Sequence, residues 1–304
     1  MARALAPRYR LRLEPGWRYD SSLHDSHVRT RLRVAVWHHY RSNPIDRPIV
    51  VRWYEGLRLG LFIGNDLTLP LYVGGSFEPN EFVFIGKTLM PGMVFVDGGA
   101  NDGLYAMLAG RYVGHSGRVL AVEPSSRECQ RLRANVALNQ LDNVLLEQAA
   151  LGEEPGESHL AVAGIGREVL NALLPRHESD STEARGESVR VETIDSLVRR
   201  HRLERVDVIK LDIEGSEVDA LLGANETLAR FEPILLVEAE EDRLATLNRT
   251  VGDLVALLEQ HDYGVWVFDK ETAQLRPAQR PDEPDGQHPG DIVAAPAGWS
   301  PPVL

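Results

Sequence analysis

The sequence predicts a doubly wound α/β fold: a mostly parallel sheet of about seven strands with helices on both faces, an antiparallel edge strand and a small N-terminal extension. Three observations predict it. From Met93 onward, short apolar runs alternate with helical stretches, the pattern of βαβ units. Two of those runs end in an acid followed by glycine or proline, at Asp97-Gly98-Gly99 and Glu123-Pro124, as strand tips do. The 304 residues are 43% hydrophobic and 26% charged, ordinary values for a chain that buries a core.

Residues 1–27 show no period. Residues 28–40 predict a helix, stopped by Pro44 and Pro48. Residues 49–53, 57–63 and 68–73 read as short strands, with Gly64-Asn65-Asp66 as a turn between the last two. This makes residues 1–90 an extension ahead of a main domain over 91–304. In that domain strands are expected at 93–97, 118–123, 144–148, 207–212, 234–238 and 265–268, and helices at 104–112, 127–139, 217–228 and 251–261. Residues 291–295 are expected to return antiparallel beside 265–268. Two polar stretches, 175–188 and 276–290, read as mobile loops.

The net charge of −12 argues against a duplex nucleic-acid partner. The charge is uneven: residues 1–60 hold twelve arginines, no lysine and five acids, a net of +7, against −19 over the remaining 244. That basic stretch reads as a solvated surface, the alternative being a contact for an anionic substrate or partner. Cys129 is the one cysteine, so no intrachain disulfide forms, which fits a reducing cytosol. It shares a helix face with Leu132 and Val136 and is expected in the core. No run of about 18 apolar residues exists, and the first residues lack the apolar stretch of a secretory signal. The expectation is a cytoplasmic protein without a membrane span, compatible with a homo-oligomer.

The chemistry concentrates at the strand tips. Val94-Phe-Val-Asp-Gly-Gly-Ala-Asn-Asp-Gly103 is a buried strand ending in Asp97, a glycine turn and the opening of a helix. Glycine lets a ligand approach the backbone, and the helix start offers free N–H groups. The dinucleotide fingerprint G-x-G-x-x-G fails here because Ala100 takes its middle glycine position. Asp97 would repel a pyrophosphate and suits a cationic group. Glu123, 20 residues after Gly103 at the next strand tip, is placed to accept both hydroxyls of a ribose.

With Gln148-Ala-Ala-Leu-Gly152, Val191-Glu-Thr-Ile-Asp195, Ile209-Lys-Leu-Asp-Ile-Glu-Gly-Ser-Glu217, Ile234-Leu-Leu-Val-Glu238 and, upstream, Phe77-Glu-Pro-Asn-Glu81, these segments resemble the class I S-adenosylmethionine-dependent methyltransferases, and more narrowly the FkbM family. The resemblance spans roughly residues 70–296 and is most specific over Lys210 to Glu217. Gly98 stands where the family more often has Val or Ile.

The resemblance implies a Rossmann-like methyltransferase sheet and S-adenosyl-L-methionine as cofactor. It implies that Asp97, Gly99, Asn101 and Gly103, with Ala100 in the same turn, cradle the methionine part, that Glu123 holds the ribose and that Gln148 and Ala149 flank the adenine. Asp212 would face the carboxyl edge of the sheet near the transferring methyl, and Glu214 or Glu217 the acceptor. Asp212, Glu214 and Glu238 are the candidate bases for a hydroxyl proton. Glu78, Glu81, Lys210 and Glu217 are read as acceptor-side residues. The alternative for Lys210 and its neighbouring acids is an internal ion-pair network, and for Glu78 and Glu81 a capping or turn role. A divalent cation on Asp212, Glu214 and Glu238 is the alternative, but no metal is expected, since the partner pattern of metal-dependent methyltransferases is not evident. His38 and His39 read as ordinary surface or core residues. The activity implied is O-methylation of a small-molecule or saccharide acceptor: a hydroxyl on a sugar, glycolipid or polyketide-type product. Two rivals stand beside it, a noncatalytic binding module of the same fold and an NAD-binding oxidoreductase.

Overall fold

The computed structural model describes residues 27–42, 47–62, 70–74, 78–161, 172–173, 186–269, 272, 274–278 and 290–304. The proposed turn at Gly64-Asn65-Asp66, Phe77 and most of the two polar stretches lie outside these residues.

Helix α1 (His27–Ser42) precedes a hairpin of β1 (Ile49–Arg52) and β2 (Arg58–Leu61). Among the described residues the third N-terminal strand is not found. Pro70–Gly74 forms a single π-helical turn instead, with Leu71 and Val73 buried and Tyr72 beneath the Arg33 guanidinium. Burial of alternate residues imitates a strand there. A helix follows that the sequence reading lacked, α2 (Pro79–Thr88), with proline in its first turn and Phe82, Phe84 and Ile85 buried.

The main domain is the expected alternation. Its elements are β3 (Val94–Gly98), α3 (Leu104–Val113), β4 (Arg118–Val122), α4 (Ser126–Leu138) and β5 (Val144–Glu147), and later α5 (Ile194–Arg200), β10 (Val208–Leu211), α6 (Glu217–Leu222), α7 (Asn225–Phe231), β11 (Ile234–Glu238), α8 (Glu241–Leu244), α9 (Val251–Gln260), β12 (Tyr263–Phe268), β13 (Leu275–Pro277) and β14 (Asp291–Pro296). The sheet has eight strands in the order β13-β12-β14-β11-β10-β3-β4-β5. The five from β11 to β5 are parallel, and β14 runs antiparallel between β11 and β12. Thus 291–296 returns beside β12 as expected, and it also pairs with β11. The extra strand is β13, on residues read as a loop.

Between β5 and α5 the chain builds a second, four-stranded sheet from β6 (Ala150–Leu151), β7 (Gly156–Ala161), β8 (Ala172–Leu173) and β9 (Gly186–Glu192). The end of the first polar stretch is therefore strand. The single helix expected over 217–228 is broken. A Cβ at Gly223 would sit 2.2 Å from the Gly152 carbonyl oxygen, so the chain passes too close to that loop for any other residue. Asp195 then caps α7, accepting from the Glu226 and Thr227 amides at 3.0 and 2.8 Å.

Side chains alternate across the strands and divide the core. Val94, Val96, Leu120, Ile209 and Leu235 pack against α5, α6, α7 and α9. Phe95, Val119, Ala121, Val208 and Leu236 face α2, α3, α4 and the β1–β2 hairpin. Asn135 of α4 and Asn139 just past its end pin that hairpin through the Gly60 and Arg58 amides, at 2.9 and 2.7 Å. Cys129 is fully buried in α4, its Sγ donating to the Glu123 carbonyl at 3.1 Å. No described helix is long and apolar enough to cross a membrane.

Candidate active site

The strand period places Asp97 on the Phe95 face of β3, and register sets Lys210 of β10 directly beside it on the same face. Asp97 is 0% exposed, and neither carboxylate oxygen has a hydrogen-bond partner among the described residues. Burial pushes its carboxyl up to about 6, although the nearby Lys210 ammonium pulls it down. A buried carboxylate in this state suits a cationic group.

The turn after Asp97 is held by backbone. The Gly99 and Ala100 amides donate to the Val122 carbonyl at 3.0 and 3.1 Å, and the Gly103 amide donates to Ala100 at 2.8 Å. Gly99 has φ +76°, and a Cβ there would lie 1.8 Å from the Asp212 carbonyl oxygen. The loop after β3 thus rests on the loop after β10. At Gly98, Leu211 and Leu151 fill the space a side chain would take. The Asn101 amide donates to Glu123 Oε2 at 2.9 Å, and the Ser125 amide to Oε1 at 2.8 Å. Glu123 is buried at the tip of β4, which pushes its carboxyl up to about 8. Each carboxylate oxygen keeps a second lone pair for an incoming hydroxyl. Gln148 is exposed and Ala149 buried in the link from β5 to β6.

Around β10 the acids are mostly engaged. Lys210, 3% exposed, pairs with Asp212 at 3.0 Å and lies over the Tyr105 ring, 4.5 Å from its centroid. Tyr105 Oη donates to Glu78 Oε2 at 2.6 Å. Glu214 pairs with Arg243 at 3.0 Å, and burial pushes its carboxyl up to about 7. Glu217 is 1% exposed and accepts from the Ile213 amide at 2.9 Å and the Gly215 amide at 3.1 Å. The structure therefore puts the Glu217 carboxylate inside the loop. Lys210 is likewise inside an ion-pair network.

Glu238 ends β11 in register with Asp291, the first residue of β14. Its Oε2 is buried without a partner among the described residues, and burial with the Asp212 charge holds the carboxyl well above the ordinary range. Glu78 and Glu81, at the start of α2, carry carboxyls raised by burial and by the Asp291 charge. The structure thus gathers Glu78, Glu81, Asp97, Asp212, Glu214 and Glu238 at one edge, with Glu123 at the adjoining strand tip. Asp291 and Tyr105 were not singled out from sequence. Asp291 had a signal, since a strand antiparallel to β11 begins at the edge where β11 ends. Among the described residues, no group of three or more His, Cys, Asp or Glu side chains is arranged to hold a metal ion.

Comparison with known proteins adds a family match. The model for the methyltransferase FkbM domain matches residues 97–265. The AMB antimetabolite synthetase AmbE of Pseudomonas aeruginosa is 29% identical over 211 residues, covering 59% of this chain and 10% of that protein. Methyltransferase sdnD of Sordaria araneosa is 28% identical over 156 residues, covering 43% and 60%. The chain thus spans a small part of the first relative's length and well over half of the second's. Among solved structures, methyltransferase FkbM from Methylobacillus flagellatus gives a TM-score of 0.41 at 15% identity, covering 88% of this chain and 60% of that one. The O-methyltransferase from Bacillus cereus in complex with SAH gives 0.41 at 14%, covering 72% and 82%.

Proposed function

The chain belongs to the FkbM family of methyltransferases, and from that premise we propose that it transfers a methyl group from S-adenosylmethionine to a hydroxyl of a sugar, glycolipid or polyketide-type acceptor. One observation carries the cofactor: the buried, unpartnered carboxylate of Asp97 at the tip of β3. Such a group is costly unless a cation completes it, and the cofactor's α-ammonium is that cation.

S-adenosylmethionine, when bound, supplies a methyl carbon made electrophilic by its sulfonium. In this reading Asp97 and the Gly99–Ala100–Asn101–Gly103 turn hold the methionine part, Glu123 the ribose hydroxyls, and Gln148 with Ala149 the adenine. Residues 91–304 form the methyltransferase domain, and residues 1–90 an extension that brings Glu78 and Glu81 to the acceptor side.

The three candidate bases differ in their surroundings. Glu238 is held in its protonated form, which makes it a hydrogen-bond donor to an acceptor oxygen. Glu214 is tied to Arg243. Asp212 is partly exposed, at 31% of its side chain, and ion-paired to Lys210, and in this reading it takes the hydroxyl proton.

Calorimetric titration with S-adenosylmethionine and S-adenosylhomocysteine, with NAD⁺ as control, tests the cofactor. Micromolar binding of the first two, lost in Asp97→Ala, is the expected result. Binding of NAD⁺ alone would refute it. Release of S-adenosylhomocysteine with hydroxylated acceptors, abolished in a folded Asp212→Asn, tests the reaction.

A further inference from the structure

The mechanism above leaves one buried charge unused. Lys210 lies in the middle of β10, 3% exposed, where an ammonium is expensive to desolvate. Its neighbours come from every element packed around it: Asp97 from β3, Tyr105 from α3, Glu78 and Glu81 from α2, Asp212 beyond β10 and Asp291 from β14. Register places Asp97 beside it on the same face, and its Nζ bonds Asp212 at 3.0 Å. Its third side is closed by the Tyr105 ring at 4.5 Å. This ring is fixed in turn by the 2.6 Å bond from its hydroxyl to Glu78. An ammonium so enclosed reaches no acceptor.

We propose that Lys210 is a positioning residue, an internal counterion shared by Asp97 and Asp212, which prepares the first for a cationic ligand and the second for a proton. Without it two carboxylates would face each other at the edge of the sheet, with Glu214, Glu217 and Asp291 adding negative charge beside Asp212. One of the pair would then keep a proton. Burial opposes the Lys210 charge, yet Asp212, Asp97, Glu78 and Asp291 outweigh it and hold the ammonium above the ordinary lysine range. The functional meaning rests on the cofactor reading above; the counterion role does not.

The test is carboxyl-carbon NMR titration of Asp97 in the ligand-free protein. In Lys210→Met its midpoint is expected to rise by about 1–3 pH units, the scale for losing a nearby opposite charge. Lys210→Arg is expected to restore it. An unmoved midpoint in folded Lys210→Met overturns the proposal. Should Lys210→Met fail to fold, Asp212→Asn, at a partly exposed position, gives a second reading. The Asp97 midpoint must then fall, since a like charge is gone and Lys210 serves Asp97 alone, and an Asp97 that stays put or rises overturns the shared counterion. A parallel S-adenosylhomocysteine titration separates the two claims. No heat with the wild type, beside a shifted Asp97 midpoint in Lys210→Met, refutes the cofactor and leaves the counterion standing.

Discussion

At the tip of β3, Asp97 is fully buried and both its oxygens are without partners among the described residues. At the end of the loop after the neighbouring β10, Glu217, the first residue of α6, is almost as deeply buried, yet its oxygens accept the Ile213 and Gly215 amides. The two loops touch, since Gly99 lies against the Asp212 carbonyl. They carry similar residues, acids and glycines at adjacent strand ends, and use them differently. After β3 the backbone secures the turn and the carboxylate takes no part in it. After β10 the carboxylates secure the turn, with Asp212 on Lys210, Glu214 on Arg243 and Glu217 on the backbone. In the function proposed above, the acid without hydrogen-bond partners is the ligand site and the partnered acids are braces.

The change expected to disturb both loops most is Gly99→Ala. Its methyl would meet the Asp212 carbonyl at 1.8 Å, at a φ that side chains rarely adopt. We expect a loss of about 2–4 kcal/mol in chemical denaturation, the range for strain added to overpacking, and loss of S-adenosylhomocysteine binding with it. Wild-type stability would mean that the loops do not brace each other.

Asp97→Asn and Glu217→Ala sharpen the contrast by moving different observables. Asp97→Asn is expected to weaken S-adenosylhomocysteine binding by about 1.5–3 kcal/mol, the value of a hydrogen bond to a charged group. Its unfolding free energy should hold or rise, because a buried carboxylate without hydrogen-bond partners is gone. Glu217→Ala is expected to lose about 1–3 kcal/mol of stability, the cost of leaving buried amides unpaired, with a smaller effect on binding. Calorimetry and urea denaturation on both variants check the pattern, and the reverse assignment would invert the comparison.

The smallest expected effect is a pH slope. Burial raises the carboxyls of Asp97 to about 6, Glu214 and Glu217 to about 7 and Glu123 to about 8. Between the ordinary carboxylate range and these values the folded chain binds more protons than the unfolded chain. Stability of the ligand-free protein therefore falls as pH rises from about 5 to about 8. Thermal unfolding across that interval should show the midpoint declining. A midpoint that climbs with pH would place these acids in paired, depressed states.

The sequence by itself determined the alternation from β3 to β12, the antiparallel return of β14, the acids at the tips of β3 and β4, and the core place of Cys129. These follow from apolar period and turn chemistry, which act between residues a few positions apart. It misread residues 70–73, the interval that became the second sheet and the helix broken at Gly223. There a distant surface overrides local preference: the Gly152 carbonyl meets Gly223, and Arg33 covers Tyr72. Only the tertiary structure decided which acid is free and which is spent. Lys210 meets Asp97 through strand register, and Tyr105 reaches Glu78 across two packed helices. A carboxylate's state depends on charges and donors within a few ångströms through space, and the chain's order does not record those distances.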